Sequence, residues 1–231
     1  MSAPLSVLIV EDEAKIRRFL RTSLETRGYR ILEAETAESG LALAASHLPD
    51  LVLLDLGLPD KDGIEVVKDL REWSAVPIVV LSARGQEQSK VQALDAGADD
   101  YVTKPFGVEE LHARMRAAAR RHVQSQSGVV EPVFSVGDLS VDLVRRRVTV
   151  KGEEVRLTPH EYSLLAVLVR NQGKVVTHRQ LLTEVWGAAF SEETHYLRVF
   201  MRQLRSKLEP EPPRPRYLLT ETGVGYRMVD E

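Results

Sequence analysis

Residues 51–71 read LVLLDLGLPDKDGIEVVKDLR: four continuous apolar residues, then Asp55, then a loop of Gly, Pro and Asp, then a helical stretch from 63 to 71. A strand-length run with no polar face suits burial on both sides, which is the condition of a strand inside a parallel sheet. The same alternation extends outward in both directions. Strand-like runs at 6–10, 30–34, 77–81 and 101–103 alternate with helical stretches at 14–27, 37–46, 86–96 and 108–121. Gly28 and Gly97 stand just past two of these helices, where glycine stops the helical ladder. Five strands alternating with five helices predict an α/β domain over 1–121, with a mostly parallel, doubly wound sheet and right-handed connections.

In such a sheet, ligands bind beyond the carboxyl ends of the strands, at the switch in strand order. The residues found there are Glu11 and Asp12, Asp55, Ser82 and Lys104. Three carboxylates drawn together repel, and a divalent cation relieves the repulsion. Oxygen ligands with few protein contacts suit Mg2+, which keeps several of its waters. A lysine opposite the cation neutralises a bound phosphate, and a serine hydroxyl donates to one of its oxygens. The set fits in-line transfer of a phosphoryl group onto Asp55. Plainer roles stand beside this one: Asp12 and Glu13 as caps of the next helix, Asp55 as a turn residue, and Tyr101 as a core aromatic. Glu13, Asp60 and Asp62 read as loop or helix-start residues rather than ligands.

Composition narrows the field. The chain has 231 residues, enough for two domains, with 43% hydrophobic and 28% charged residues, an ordinary globular balance. It has no cysteine, which excludes disulfides, thiolate metal sites and a cysteine nucleophile. The six histidines show no metal-ligand spacing. No apolar run approaches the ~18 residues of a membrane span, and the N-terminus lacks signal-peptide features, so a cytoplasmic protein is expected. Through His122 there are 16 basic and 20 acidic residues, and beyond it 15 and 14. From 194 to 208 the charge is all basic: Arg198, Arg202, Arg205 and Lys207. A basic helix of this kind suits a nucleic-acid contact or a plain solvated face.

Residues 122–132, HVQSQSGVVEP, read as a polar linker. The second domain, 133–231, opens with strand-like runs at 134–136, 139–142, 147–150 and 154–157, with a turn at Lys151-Gly152. Three helical stretches follow, at 159–170, 177–185 and 193–208. The first has Thr158 as cap and Glu161 three residues on, a capping box. Runs at 217–220 and 226–229 flank a turn and make a terminal hairpin. Strands, three helices and a hairpin spell an α+β winged helix-turn-helix. In the third helix Leu197, Val199 or Phe200, Met201, Leu204 and Leu208 supply a buried stripe. His195, Arg198, Arg202, Gln203 and Arg205 lie outward, where arginine suits guanine or phosphate and glutamine suits adenine. The hairpin turn offers backbone amides, Thr222 and Arg227 to phosphates. This half carries no acidic cluster, nucleophile elbow or phosphate-binding glycine loop, so an enzymatic output is not expected.

Several motifs taken together resemble the receiver domain of bacterial response regulators, a flavodoxin-like fold. They are IVEDE at 9–13, LLDLGLPDKDG at 53–63, LSA at 81–83, GADDY at 97–101 and KPF at 104–106. The resemblance implies Asp55 as phosphoacceptor and Mg2+ on Asp12, Asp55 and the Gly57 carbonyl, with Glu11 assisting. It implies Ser82 and Lys104 on the phosphoryl group, Tyr101 as the aromatic switch, and a cis Lys104–Pro105 bond. It further implies a homodimer through the fourth helix, fifth strand and fifth helix. Lys90 would pair there with Glu110, Asp95 with Arg116 and Asp100 with Arg114, with Asp99 beside them. LTPHEYSLLAVLVRNQGKVVTHRQLLTEVWG at 157–187 and TETGVGYR at 220–227 resemble the winged-helix output of the OmpR/PhoB class. That likeness implies promoter DNA contacts by His195, Tyr196, Arg202, Gln203 and Arg205, with Thr220 and Thr222 in the wing. RNA polymerase would touch residues 186–192, and the phosphodonor would be a membrane sensor histidine kinase. Gln203 and Thr222 depart from the arginines usual in the class, so base preference is left open. RRFLR at 17–21, LREWSAVPIVVLSAR at 70–84 and RPRYLLTETGVGYR at 214–227 are similar to regulators of potassium-transport operons. The alternatives are a regulator of another operon and a DNA binder indifferent to phosphorylation.

Overall fold

The computed structural model describes residues 4–83, 87–126 and 133–230. The chain divides into two compact units, Met1–Gly128 and Val129–Glu231. In the first, β1 (Ser6–Val10), β2 (Arg30–Ala34), β3 (Leu51–Asp55), β4 (Ile78–Ala83) and β5 (Asp100–Lys104) alternate with α1 (Ala14–Glu25), α2 (Ala37–His47), α3 (Gly63–Trp73), α4 (Glu87–Asp95) and α5 (Val108–Gln126). The strands pair in the order β2-β1-β3-β4-β5, all parallel. Strand order therefore reverses between β1 and β3, and a crevice opens past their carboxyl ends. All five residues of β3 are buried, as its unbroken apolar run requires.

Local signals set the element ends. Past α1, Gly28 takes a positive φ of 84°, and the Gly28 and Tyr29 N–H groups return to the carbonyls of Glu25 and Leu24. Asp62 caps α3 by accepting from Ile64 N–H, and Asp60 accepts from Ala37 and Glu38 at the start of α2. These backbone bonds hold Asp60 below the usual carboxylate range. Gly63 is required by packing: a Cβ there would lie 2.6 Å from the Asp55 carbonyl oxygen. The helix expected to end at 121 runs on to Gln126, so part of the polar stretch is helical. Residues 127–132 of the expected linker, and Gln86 at the expected start of the fourth helix, lie outside the described residues.

The second unit begins with an antiparallel sheet of β6 (Val133–Val136), β7 (Leu139–Asp142), β8 (Arg147–Val150) and β9 (Glu153–Glu154). The strand expected at 154–157 shrinks to this two-residue β9. Then come α6 (Pro159–Arg170), β10 (Val175–Thr177), α7 (His178–Trp186), a 3-10 turn (Ala188–Phe190), α8 (Thr194–Leu208), β11 (Leu218–Glu221) and β12 (Gly225–Met228). The Thr158–Glu161 capping box is present, and Thr177–Gln180 forms another at α7. The terminal hairpin gains a third strand, in the order β10-β12-β11. β10 is only three residues long and sits between two helices, so its pattern gives no strand signal. Its approach to β12 demands glycine: a Cβ on Gly225 would lie 2.0 Å from the Val176 carbonyl oxygen. The core joins Leu164, Leu168, Leu181 and Leu182 to the α8 stripe of Leu197, Met201, Leu204 and Leu208. Phe200, not Val199, packs against it, and Val199 is exposed.

Candidate functional site

The residues that follow β1, β3, β4 and β5 meet at one end of the first sheet. Carboxylate oxygens of Glu11, Asp12 and Asp55 all lie within 4.8 Å of one another. Glu11 is fully buried, Asp55 is nearly so, and Asp12 is exposed. Lys104, reaching in from β5, places Nζ 2.8 Å from Glu11 Oε2 and 3.1 Å from Asp55 Oδ1. Burial pushes the Glu11 carboxyl above its usual range and the Asp55 charge adds to that, while the Lys104 bond opposes it. Burial works against the Lys104 charge as well, yet the Glu11 bond and the two acids raise its pKa overall. One lysine thus balances only part of a three-carboxylate cluster.

This arrangement fits a small hard dication. Every donor is oxygen, and the most exposed ligand, Asp12, leaves a side open to water. Gly57 lies beside the cluster, since a Cβ there would stand 3.6 Å from Asp55 Oδ2. The capping alternative for the first acids loses support: Glu13 is the N-cap of α1 and makes no side-chain cap bond. Ser82 is fully buried and donates through Oγ to the Ala83 carbonyl at 3.2 Å. The Lys104–Pro105 bond is cis.

Around β5 the observed partners differ from those expected. Tyr101 is buried, with the Lys90 ammonium 5.1 Å from its ring centroid and the Arg114 guanidinium 5.8 Å away. Asp100 is fully buried and pairs with Arg114 at 3.0 Å within the same chain. Arg114 also meets Glu110, one helical turn earlier, at 3.2 Å. Asp99 is not a surface acid: Arg71 Nη2 holds it at 2.8 Å, and the Ile78 N–H donates to the same oxygen. Asp95 is exposed. Arg116, two residues after Arg114 and so on another side of α5, lines an apolar groove with Leu5, Tyr29 and Met115.

In the second unit, α8 exposes His195, Tyr196, Arg198, Arg202 and Gln203 together. Arg205 departs from that face. It donates to the Leu218 carbonyl and to Thr220 Oγ1 at 2.7 Å, tying the helix to β11. Arg227 is also committed inside the fold, to Glu221 and to the Gly173 carbonyl, both at 2.9 Å, with 12% of its side chain exposed. Both arginines therefore serve the hairpin's structure and are not presented outward. Thr220 and Thr222 are exposed. Glu209, which the sequence did not single out, anchors the return to β11: its carboxylate accepts from the N–H groups of Arg216, Tyr217 and Leu218.

Known proteins share both halves of this arrangement. Residues 7–116 match the response regulator receiver domain family, and residues 152–228 match the family described as transcriptional regulatory protein, C terminal. The KDP operon transcriptional regulatory protein KdpE of Escherichia coli K12 is 58% identical over 97% of this chain and 99% of its own. The chain belongs to the response-regulator family. KdpE of Mycobacterium tuberculosis is 52% identical over 96% of this chain and 97% of its own. Among solved structures, the Thermotoga maritima response regulator DrrB, an OmpR/PhoB homolog, is 30% identical over 98% of this chain and 99% of its own, with a TM-score of 0.50. This response regulator thus joins a receiver to a DNA-binding domain of the OmpR/PhoB class. Receiver domains bind Mg2+ at an acidic pocket of the kind formed by Glu11, Asp12 and Asp55. Among the described residues, no helix is long and apolar enough to cross a membrane.

Proposed function

We propose that this response regulator accepts a phosphoryl group on Asp55 from a sensor histidine kinase and then binds promoter DNA as a homodimer to control a potassium-transport operon. The observation that carries the reading is the Lys104 bridge between Glu11 and Asp55, in a chain whose other half exposes a basic helix. A carboxylate oxygen of Asp55 forms the bond to phosphorus as the bond to the donor's leaving atom breaks. Asp12, Asp55 and the Gly57 carbonyl, with help from Glu11, would hold Mg2+, which would supply charge neutralisation at the phosphoryl oxygens. Lys104 turns its ammonium onto the new group, and Ser82 gives up its bond to the Ala83 carbonyl to donate there. The phosphoryl group, at about −1.5 to −2 charges, replaces the single carboxylate charge of Asp55, so the sheet end gains up to about one negative charge and three acceptor oxygens. Tyr101, held between Lys90 and Arg114, couples that change to the face of α4, β5 and α5. Two copies then meet over this face, with Lys90, Asp95, Glu110 and Arg114 at the contact. On DNA, α8 enters the major groove with His195, Tyr196, Arg198, Arg202 and Gln203, while Thr222 lies at the wing tip.

The KDP operon named for the Escherichia coli relative supports the choice of target, and the sequence resemblance to regulators of potassium-transport operons supports KdpD as the kinase. The 186–192 segment serves RNA polymerase, and the protein works in the cytoplasm. The test is binding to a potassium-transport promoter fragment with and without acetyl phosphate and Mg2+, using wild type and Asp55→Asn. Tightening that occurs in wild type and disappears in Asp55→Asn supports the switch and the target together. Binding indifferent to the phosphodonor would favour constitutive recognition, and no binding would return the target operon to unknown.

A further inference from the structure

Arg17, in the first turn of α1, reaches back across the turn that precedes its own helix. Its Nη1 donates to the carbonyl oxygen of Glu11 at 2.7 Å and to that of Asp12 at 3.0 Å. Its Nη2 is bonded to Glu35, just past β2, and its Nε lies 3.8 Å from Glu33. The side chain is only 12% exposed. The two carbonyls belong to the residues that supply two of the three carboxylates in the cation cluster. Two consecutive carbonyls drawn to one planar guanidinium fix the peptide planes between them, and with those the directions in which both side chains leave the backbone. Glu11 is held as well by its N–H to the Ala34 carbonyl at 3.1 Å and by Lys104 at its carboxylate, but α1 has no side-chain cap, and the local bond from Glu13 N–H to Glu11 Oε1 is 3.3 Å long.

A positive charge this near a cation site would ordinarily weaken it. Here Glu35 and Glu33 offset the guanidinium, so its influence on the site is geometric. We infer that Arg17 is a positioning residue for the cation site, holding the Glu11–Asp12 turn in its ligand-presenting form before a cation arrives. The inference rests on reading Glu11, Asp12 and Asp55 as a Mg2+ site. A site with few protein ligands depends on the support behind them, and losing an outer-shell partner typically weakens metal binding by ~10–100-fold.

The test is calorimetric titration of Mg2+ into the full chain, for wild type, Arg17→Ala, Arg17→Lys and Asp12→Ala. Arg17→Ala should raise the Mg2+ dissociation constant about 10-fold, the lower end of the outer-shell range. Arg17→Lys keeps the charge but cannot bridge two carbonyls and Glu35 at once, so it too should bind more weakly. With acetyl phosphate as donor, the half-saturating Mg2+ concentration should move by the same factor while the plateau rate of phosphorylation stays at the wild-type value. A general loss of folding would lower the plateau instead. Thermal melts without Mg2+ verify that each variant folds, and Arg17→Lys carries the test alone if the alanine variant does not. Wild-type Mg2+ affinity in the folded Arg17 variants, with loss in Asp12→Ala, overturns the role of Arg17 and leaves the site intact. Wild-type affinity in Asp12→Ala overturns the site itself, and the inference with it.

Discussion

Glu209 is the most economical place to break the DNA-binding unit. Glu209 is 7% exposed, and its carboxylate accepts three backbone N–H groups, from Arg216 at 2.7 Å, Tyr217 at 2.9 Å and Leu218 at 2.7 Å. These bonds pin the chain as it returns from the end of α8 to begin β11. In Glu209→Ala all three donors lose their acceptor. A buried donor left unsatisfied costs ~1–3 kcal/mol. Arg216 is exposed enough for water to replace its bond, so the total expected is ~3–5 kcal/mol. That is a large share of the ~5–15 kcal/mol that holds a domain together. Glu209→Gln retains one carbonyl oxygen but turns an amide donor toward another donor, and should cost ~1–3 kcal/mol. The assay is thermal unfolding of the full chain in a Trp73→Phe background, where Trp186 fluorescence reports the second unit alone. At ~4–8 °C per kcal/mol for a domain of this size, Glu209→Ala should lower that transition by ~12 °C or more, with Glu209→Gln between it and wild type. An alanine variant that melts within about 4 °C of wild type, the shift of a single kcal/mol, would refute the claim that this carboxylate holds the strand.

Three further outcomes are expected. Gly225→Ala would press a methyl group into the Val176 carbonyl, so the β10–β12 pairing must give way; a loss of ~3 kcal/mol in the same melt, with weaker DNA binding by fluorescence anisotropy, is the expected result. His112 is buried against Tyr29 with no partner for Nε2, and burial first, then the Arg27 charge, hold its pKa below the ordinary imidazole value. The unfolded chain then takes up the proton first, so this contribution is present in full above about pH 6.5 and is lost as pH falls from there through the folded value. Receiver melting temperature should drop over that interval in wild type and less steeply in His112→Gln. Arg202→Ala should weaken DNA binding and lower the salt-dependence slope by about 1, whereas Arg227→Ala should change the melting temperature of the second unit and leave that slope unchanged.

The acidic pocket was legible in the sequence because each of its residues stands at the end of an apolar strand, and parallel-sheet topology brings those ends together. The long charged side chains around it were harder to read. Asp99 and Asp100 look alike in the stretch GADDY, yet one is clamped by Arg71, 28 residues earlier, and the other by Arg114, 14 residues later. A spacing rule fixes where a side chain leaves the backbone, but not where a guanidinium several bonds away comes to rest. Arg205 fails for the same reason. Its position on α8 is one helical turn beyond Arg202, but its arm bends to the carbonyl of Leu218. β10 was missed because three residues carry no period, and it becomes a strand only when β12 arrives to pair with it.

The charge balance of the pocket explains why one lysine can serve both states of the proposed switch. At rest, Lys104 divides its ammonium between Glu11 and Asp55, so one cation serves two buried carboxylates. A phosphoryl group on Asp55 would draw Lys104 away from Glu11, which is fully buried and would be left charged without its partner. Leaving a buried carboxylate unpaired is costly, so the phosphorylated state needs a second cation near Glu11 more than the resting state does. In the proposed switch, phosphoryl transfer and cation binding would therefore be linked through Glu11 as well as through Asp55. It follows that Glu11→Gln, which removes the charge but keeps the shape, should raise the Mg2+ concentration needed for phosphorylation without removing the acceptor, whereas Asp55→Asn should abolish labelling at every Mg2+ concentration.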